Sequence, residues 1–169
     1  QVVKRSRNIA AKLNKGVEHL LNKNNVSIFF GKGKIGAKGI VSVQKNDRKV
    51  IELRTTNIIL ATGARAKSLT GLEPDGRLIW TYREAMVPDI MPKSLLVVGS
   101  GAIGIEFASF YNDLGAEVTV VEVKDQILPA EDTEISGFAR KSFESQGMNI
   151  FTEAEINEVR RAKKNVTAE

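Results

Sequence analysis

The hydrophobic positions in the first third of the chain change their period once. Between residues 3 and 22 they recur near the helical period, which predicts one amphipathic helix that "NKNN" at 22–25 ends. The runs that follow, "VSIFF", "GIVSV" and "KVIEL", are short, rich in β-branched residues and separated by glycines and the turn-like "KNDR". They predict a small antiparallel β-meander.

A continuous apolar run, "NIILATGA" at 57–64, follows the meander. It has no alternation and ends in small residues, which is typical of a strand buried on both faces. Residues 65–93 contain several glycines and prolines and predict a linker. One short helix is expected within the linker at 81–86, because Thr81 and Glu84 have the spacing of a capping box.

From residue 94 onward, strand and helix patterns alternate, in the order "LLVVG", "AIGIEFASFYNDLG", "EVTVVE", "TEISGFARKSFESQG" and "MNIFT". This alternation predicts an open α/β sheet of parallel strands joined by right-handed crossovers. Gly115 and Gly147 stand where helix C-caps are needed. The final "KNVTAE" indicates the start of a further strand, and we expect the domain to be incomplete because such sheets normally have more strands.

Composition narrows the possible chemistry. The 169 residues include no cysteine and one histidine, which argues against a disulfide framework and against zinc sites built from thiolates or histidines. No apolar run is long enough to span a membrane and no signal peptide is evident, so we expect a cytoplasmic protein without a membrane partner. Because the chain begins with Gln1, we expect a piece of a longer protein.

Charge is divided unevenly along the chain. Residues 1–50 hold twelve basic and two acidic residues, a net charge of +10, whereas residues 51–169 carry a net charge of −5. A basic block can bind nucleic acid, but here only Phe29 and Phe30 supply aromatic rings for stacking on bases. We therefore interpret the block as a solvated face or a packing surface for acidic segments and expect no nucleic-acid partner.

A glycine loop directly follows the first strand of the parallel sheet. Gly99, Gly101 and Gly104 form the pattern G-x-G-x-x-G. In dinucleotide-binding folds the first glycine allows a tight turn, the second lets the pyrophosphate approach, and the third brings the helix close to the strand. The helix amides then face the phosphates. The candidate NAD-binding loop comprises Gly99, Ser100, Gly101, Ala102, Ile103 and Gly104.

A carboxylate at the end of the next strand strengthens this interpretation. Glu122 closes "EVTVVE", 18 residues after Gly104. There it can accept hydrogen bonds from both hydroxyls of an adenine ribose and repel a 2′-phosphate, which predicts NAD rather than NADP. Lys124 could partly offset that repulsion.

Glu106 lies two residues beyond the last glycine, in the expected first turn of the helix. There the helix dipole would stabilise a carboxylate by about 0.3–1 kcal/mol. The same turn faces the expected dinucleotide, so a role at its nicotinamide end is the alternative, and the residues alone leave both open.

Three stretches, "TTNIILATGARAKSLTGLEPDG", "MPKSLLVVGSGAIGIEF" and "GAEVTVVEVKDQILPAEDTEI", resemble the flavoprotein disulfide reductases, most closely those that oxidise dihydrolipoamide. The resemblance implies that residues 1–64 are the C-terminal part of an FAD-binding domain, 65–93 a linker and 94–169 a truncated NAD-binding domain. It implies that the glycine loop binds NAD, Glu106 lies near the nicotinamide and Glu122 holds the adenine ribose. It also implies that Ile156 contacts the adenine through its backbone.

For FAD, the resemblance implies that Gly33 lies near the adenine and that a small-residue turn lets the backbone approach the cofactor. That turn comprises Ala61, Thr62, Gly63 and Ala64. Small residues at a strand end, and a glycine in a loop, need no ligand to explain them. The family usually has Ser and then Pro around Ala64 and Ala66, so the turn departs from the pattern.

The family's redox-active cysteine pair and its C-terminal histidine have no counterpart in this sequence. We therefore assign no catalytic residue and expect the chain alone not to carry the full reaction, in which electrons pass from dihydrolipoamide through FAD to NAD. The resemblance implies a homodimeric parent that serves a 2-oxoacid dehydrogenase complex. The alternatives are another NAD-dependent flavoprotein disulfide reductase and a non-catalytic NAD-binding module.

Overall fold

Two units, residues 1–65 and 66–169, make up the computed structural model, which describes all 169 residues. The first unit begins with helix α1 (Val2–Lys23), as the periodicity predicts. No residue of α1 is buried, and its apolar stripe of Ile9, Leu13, Val17 and Leu20 is exposed. The C-cap of the helix is Asn24, whose side-chain amide donates to the carbonyl of Leu20 over 2.8 Å. No helix of the chain is both long and apolar enough to cross a membrane.

The predicted antiparallel meander is present as β1 (Lys32–Ile35), β2 (Ile40–Gln44) and β3 (Val50–Arg54), in the order β1-β2-β3. The side chain of Asp47 shapes the turn between β2 and β3 by accepting a hydrogen bond from the amide of Lys49 over 3.1 Å. Only Val43 is buried in this unit.

The first strand of the meander was predicted at the wrong place. "VSIFF", residues 26–30, is irregular, and the strand instead contains Gly33, which the sequence placed in a loop. The register explains the shift: Lys32 pairs with Gln44, so the partners of residues 28–31 would fall at 45–48, inside the next turn. A segment whose partner positions form a turn cannot complete a ladder.

The run at 57–64 also differs from its prediction, because it forms no strand and is exposed throughout. Ile59 and Leu60 are 91% and 69% exposed. Strand conformation is stabilised by a hydrogen-bonded neighbour, and none of the eight strands of the chain pairs with these residues.

The second unit contains the predicted open parallel sheet, in the order β4-β5-β6. Its elements are β4 (Ser94–Val98), α3 (Ala102–Asp113), β5 (Glu117–Val121), α4 (Thr133–Ser145) and β6 (Asn149–Phe151). Val98 pairs with Val121, and Val121 with Phe151, so the carboxyl ends of the three strands meet at one edge. Gly115 and Gly147, at φ 90° and 95°, terminate the two helices as predicted.

The core lies between this sheet and its helices. Full burial of a Val or Ile side chain stabilises the fold by about 1.5–3 kcal/mol relative to exposure, so these contacts hold the edge of the sheet in place. The buried hydrophobic residues are Ile105, Ala108, Tyr111, Ala116, Val118, Val120, Ile127, Met148 and Ile150.

The predicted short helix is α2 (Tyr82–Met86), and its capping box is complete. The amide of Thr81 donates to a carboxylate oxygen of Glu84 over 2.7 Å. The buried Tyr111 donates its hydroxyl to the carbonyl of Ala85 over 2.7 Å, which fastens α2 to α3.

A strand is present in "KNVTAE", but it does not extend the parallel sheet. β8 (Val166–Ala168) pairs antiparallel with β7 (Val159–Arg161) in a separate two-stranded sheet. A guanidinium nitrogen of Arg161 donates to the carbonyl of Glu73 over 3.0 Å and so joins this hairpin to residues 66–93.

Candidate functional site

The turn between β4 and α3 needs two of its glycines for the reasons that the sequence suggested. Gly99 has φ 93°, a left-handed conformation that favours glycine, and its amide donates to the carbonyl of Val121 over 2.8 Å. A Cβ on Gly104 would lie 2.1 Å from the carbonyl oxygen of Gly99. Any larger residue at position 104 would therefore push α3 away from the sheet.

Gly101 has a different environment. It is the N-cap of α3 with φ −62°, and a Cβ built on it would meet no atom within 4 Å. Packing within the chain therefore does not require glycine at this position. No side chain caps α3, so the amides of its first turn face an open approach, which suits an anion.

Glu122 and Ser100 join the two strand ends of the site. One carboxylate oxygen of Glu122, Oε2, accepts hydrogen bonds from the amide and from the hydroxyl of Ser100, over 2.8 and 2.6 Å. The other oxygen, Oε1, accepts from the amide of Lys124 over 3.0 Å. Glu122 is 6% exposed and Ser100 is fully buried.

The carboxylate of Glu122 is held in its charged form. Burial alone would raise its pKa, but the hydrogen bonds from the Ser100 hydroxyl, the Ser100 amide and the amides of Lys124 and Val123 outweigh burial and lower it. A permanent negative charge therefore stands beside the glycine loop at neutral pH.

The backbone of Glu122 is also fixed. Its amide donates to the carbonyl of Phe151 over 2.8 Å, and its carbonyl accepts from the amide of Ala154 over 3.0 Å. Ile156 is half-buried and follows two residues later in an irregular segment. The structure thus connects the chain that carries Ile156 directly to the residue at the end of β5.

The segment after β5 folds back to the glycine loop, a contact that was not predicted from the sequence. The amide of Leu128 donates to the carbonyl of Ser100 over 2.9 Å, and Leu128 has the left-handed φ of 47°. Its neighbour Ile127 is fully buried, and the hydroxyl of Ser136 donates to the Ile127 carbonyl. A leucine carries no sequence signal for this conformation, whereas a serine between two glycines was an available signal for a loop contact.

Glu106 is not in the first turn of the helix, so the helix-dipole explanation is wrong. α3 begins at Ala102, and its first turn contains no acidic residue. Glu106 lies one turn further along, where it is exposed together with Ala102 and Ile103, which precede it by four and three residues. Residues at these spacings share a helix face, so its carboxylate lies on the open side of the loop.

The residues expected near FAD lie in the first unit. Gly33 is opposite Val43 in the meander, with open space where a Cβ would stand. The exposed turn at 61–64 contains Gly63 with φ 74°.

Within the chain, no group of three or more His, Cys, Asp or Glu side chains has a geometry that would hold a metal ion.

The arrangement at the strand ends fits a dinucleotide. The open amides at the start of α3 suit a pyrophosphate. The carboxylate of Glu122 accepts hydrogen bonds from Ser100 and from the backbone amides that follow β5, and its negative charge suits the hydroxyl donors of a ribose. These groups can bind and orient a ligand.

Comparisons with known proteins agree with this fold. The model of the family described as pyridine nucleotide-disulphide oxidoreductase matches residues 2–169. Over 99% of its length the chain is 48% identical to a dihydrolipoyl dehydrogenase of Rhizobium etli, and over its whole length 45% identical to one of Zymomonas mobilis. It spans only 38% and 36% of those two curated relatives.

Solved structures share the fold as well. The crystal structure of LpdA from Mycobacterium tuberculosis superposes with a TM-score of 0.89 at 30% identity, covering 99% of this chain and 38% of that one. The HOCl-induced flavoprotein disulfide reductase RclA from Escherichia coli superposes with a TM-score of 0.82 at 23% identity, over the same shares of the two chains, and shows the fold alone. The resemblance noted in the sequence and the predicted α/β fold class are thereby confirmed.

Proposed function

The chain belongs to the pyridine nucleotide-disulphide oxidoreductase family, and from this we propose that residues 94–169 are the NAD-binding part of a dihydrolipoyl dehydrogenase. Residues 65–93 then form the linker, and residues 1–64 belong to the FAD-binding domain. The parent would be a homodimer that works in the cytoplasm with a 2-oxoacid dehydrogenase complex.

One observation carries the proposal: a charged, buried carboxylate at the end of β5 adjoins the open N-terminus of α3. The glycine loop would bind the pyrophosphate through its backbone amides, and Glu122 would accept a hydrogen bond from the adenine ribose. A 2′-phosphate at that place would meet a like charge, so NAD is favoured over NADP.

The remaining candidates have supporting positions. Glu106 shares the exposed start of α3 with Ala102 and Ile103, and we propose that it lies near the nicotinamide. Ile156 follows the segment hydrogen-bonded to Glu122, which supports an adenine contact through its backbone.

Residues of the first unit would contribute to the FAD site. We propose that Gly33 and the turn at 61–64 let the FAD approach the backbone, since the first has open space beside it and the second is exposed. The curated relatives are more than twice as long as this chain, and in the parent a neighbouring strand would pair with 57–64.

When bound, NAD accepts a hydride and FAD relays electrons. The residues of this chain bind and orient the two cofactors. With no cysteine, the chain lacks the redox-active disulfide that would accept electrons from the dithiol of dihydrolipoamide, and we propose that it is inactive alone.

The test is a fluorescence titration of the 169-residue chain with NADH and with NADPH. We expect NADH to bind more tightly than NADPH, and the preference to shrink in Glu122→Ala and in Glu122→Gln, which removes the charge but keeps an oxygen acceptor. Glu117→Ala is the matched control, because it removes an exposed carboxylate from the opposite end of the same strand.

Circular dichroism establishes that each variant is folded. Absence of NADH binding by a folded wild-type chain, or equal loss of preference in Glu117→Ala, would overturn the assignment.

A further inference from the structure

We propose that the Ser100 hydroxyl is a positioning group that fixes the Glu122 carboxylate for the ribose and so determines the preference for NAD over NADP. The inference rests on the proposed NAD-binding function and deepens it. In this role the Ser100 hydroxyl acts through Glu122.

The geometry gives Ser100 two donors to the same oxygen. Its amide and hydroxyl both reach Oε2, over 2.8 and 2.6 Å, whereas Oε1 accepts from the backbone amide of Lys124 over 3.0 Å. Hydrogen bonds to an ionised acceptor are about twice as strong as neutral ones. The carboxylate is therefore held with Oε2 turned toward the loop.

Ser100 is itself held in place by a backbone hydrogen bond and by burial. Its carbonyl accepts from the amide of Leu128 over 2.9 Å, and its side chain is fully buried. The backbone of Ser100 is thus held in place, and its hydroxyl holds the carboxylate of Glu122 in turn. A site built on strand ends keeps its geometry best when such supporting contacts lock each side chain.

Discrimination between NAD and NADP requires a carboxylate that is fixed in position. Rejecting a 2′-phosphate depends on a negative charge that cannot move away when the wrong ligand enters. Without the hydroxyl, Oε2 keeps only the amide donor, and the side chain can turn toward solvent to relieve the repulsion. Loss of the hydroxyl should therefore improve NADPH binding relative to NADH binding.

The chain contains a matched control. Ser136 is 2% exposed, and its hydroxyl also donates one buried hydrogen bond, but to the backbone carbonyl of Ile127. Ser136→Ala removes the same chemical group at nearly the same burial without touching a carboxylate. It separates loss of a buried hydroxyl from loss of carboxylate positioning.

The experiment measures the ratio of the NADPH and NADH dissociation constants for wild type, Ser100→Ala, Ser136→Ala, Glu122→Ala and the double variant Ser100→Ala/Glu122→Ala. We expect Ser100→Ala to reduce the ratio about 10-fold and Ser136→Ala to leave it unchanged. In the Glu122→Ala background, adding Ser100→Ala should have no further effect on the ratio, because the group through which it acts is gone.

The outcomes distinguish failure of this inference from failure of the proposed NAD-binding function. If wild type prefers NADH and Glu122→Ala loses the preference, but Ser100→Ala keeps it, the positioning role is wrong and the function stands. Equal effects of Ser100→Ala and Ser136→Ala also overturn it. If wild type binds neither nucleotide, both fail. Should Ser100→Ala not fold, Ser100→Cys, a weak donor of similar size, takes its place with the same expectation.

Discussion

Two apolar runs of this chain look alike in sequence and differ in structure. "LLVVGSGA" at 95–102 and "IILATGA" at 58–64 each place an apolar stretch before a turn of small residues. The first contains strand β4 and continues into a tight turn and a helix. The second is irregular, and its Ile59 is 91% exposed.

A pairing partner makes the difference. β4 pairs in parallel with β5 over five residues, and the amide of Gly99 extends that ladder to Val121. The run at 58–64 has comparable apolar character but no strand beside it. An apolar run therefore supplies strand propensity, whereas the hydrogen-bonded neighbour determines whether a strand forms.

Hydrogen exchange gives the largest expected contrast. The amides of residues 118–121 should open only with global unfolding, while those of 58–64 should exchange at nearly the free-peptide rate. For a domain stable by at least about 5 kcal/mol this is a difference of at least about 1,000-fold, measured by mass spectrometry or NMR. Comparable protection in both segments would show that 58–64 is paired in solution.

The same isoleucine-to-alanine substitution at a buried and at an exposed position should give the next largest difference. Ile127 is fully buried and Ile59 is almost fully exposed, so the same substitution can be compared at both sites. We expect Ile127→Ala to lower the free energy of unfolding by about 2–5 kcal/mol and Ile59→Ala to change it by less than about 0.5 kcal/mol. Urea denaturation measures both, and a similar cost at the two sites would contradict the exposure of 58–64.

Local pattern sufficed where the element, its turn and its partner are close in the sequence. The β4-α3-β5 unit and the capped helix α2 lie as predicted, because each boundary carries its own signal, such as Gly99 or Thr81. The strand predicted at 26–30 was misplaced because its register depends on the turns at 36–39 and 45–49. The spacing of the apolar residues alone does not determine that register.

The residues of the site could be predicted from the sequence, but the hydrogen bonds between them could not. The glycines and Glu122 were recognisable from their spacing, yet the hydrogen bonds between Glu122 and Ser100 join residues 22 apart and require the assembled sheet. Glu106 was assigned to the wrong turn although the helix begins at Ala102 as predicted, because Glu106 is its fifth residue and so lies beyond the first turn. The left-handed Leu128 is imposed by its surroundings.

Replacing a glycine with alanine should have different effects on the stability of the two turns. In Gly104→Ala the new methyl group would lie 2.1 Å from the Gly99 carbonyl, whereas in Gly63→Ala it would meet nothing within 4 Å. We expect Gly104→Ala to cost about 1–3 kcal/mol of stability and to abolish NADH binding. Gly63→Ala should cost less than about 1 kcal/mol, because an unpaired segment can relax the strain at φ 74°. Equal thermal midpoints for the two variants would contradict the close packing at Gly104.

The smallest expected effect concerns an irregular turn that, unlike 58–64, is held by a side chain. Asp75 accepts hydrogen bonds from the amides of Ile79, Arg77 and Leu78 over 2.8–2.9 Å, and these, in that order of effect, lower its pKa to about 2, with Arg161 adding a smaller contribution. Because the folded pKa lies below the ordinary 3.8, the stabilisation is fully present above about pH 4 and is lost as the pH falls toward 2.

Asp75→Asn should therefore lower the thermal midpoint at pH 7 by an amount that shrinks below about pH 4, as the wild-type carboxyl group becomes protonated. NMR titration of the Asp75 carboxyl group checks the midpoint directly. Asp89→Asn, which removes an exposed carboxylate outside the turn, is the control. Equal thermal midpoints of wild type and Asp75→Asn at pH 7 would mean that the amides of residues 77–79 are held by the chain itself. In that case the turn would owe its order to the residues around it, as β4 owes its order to β5.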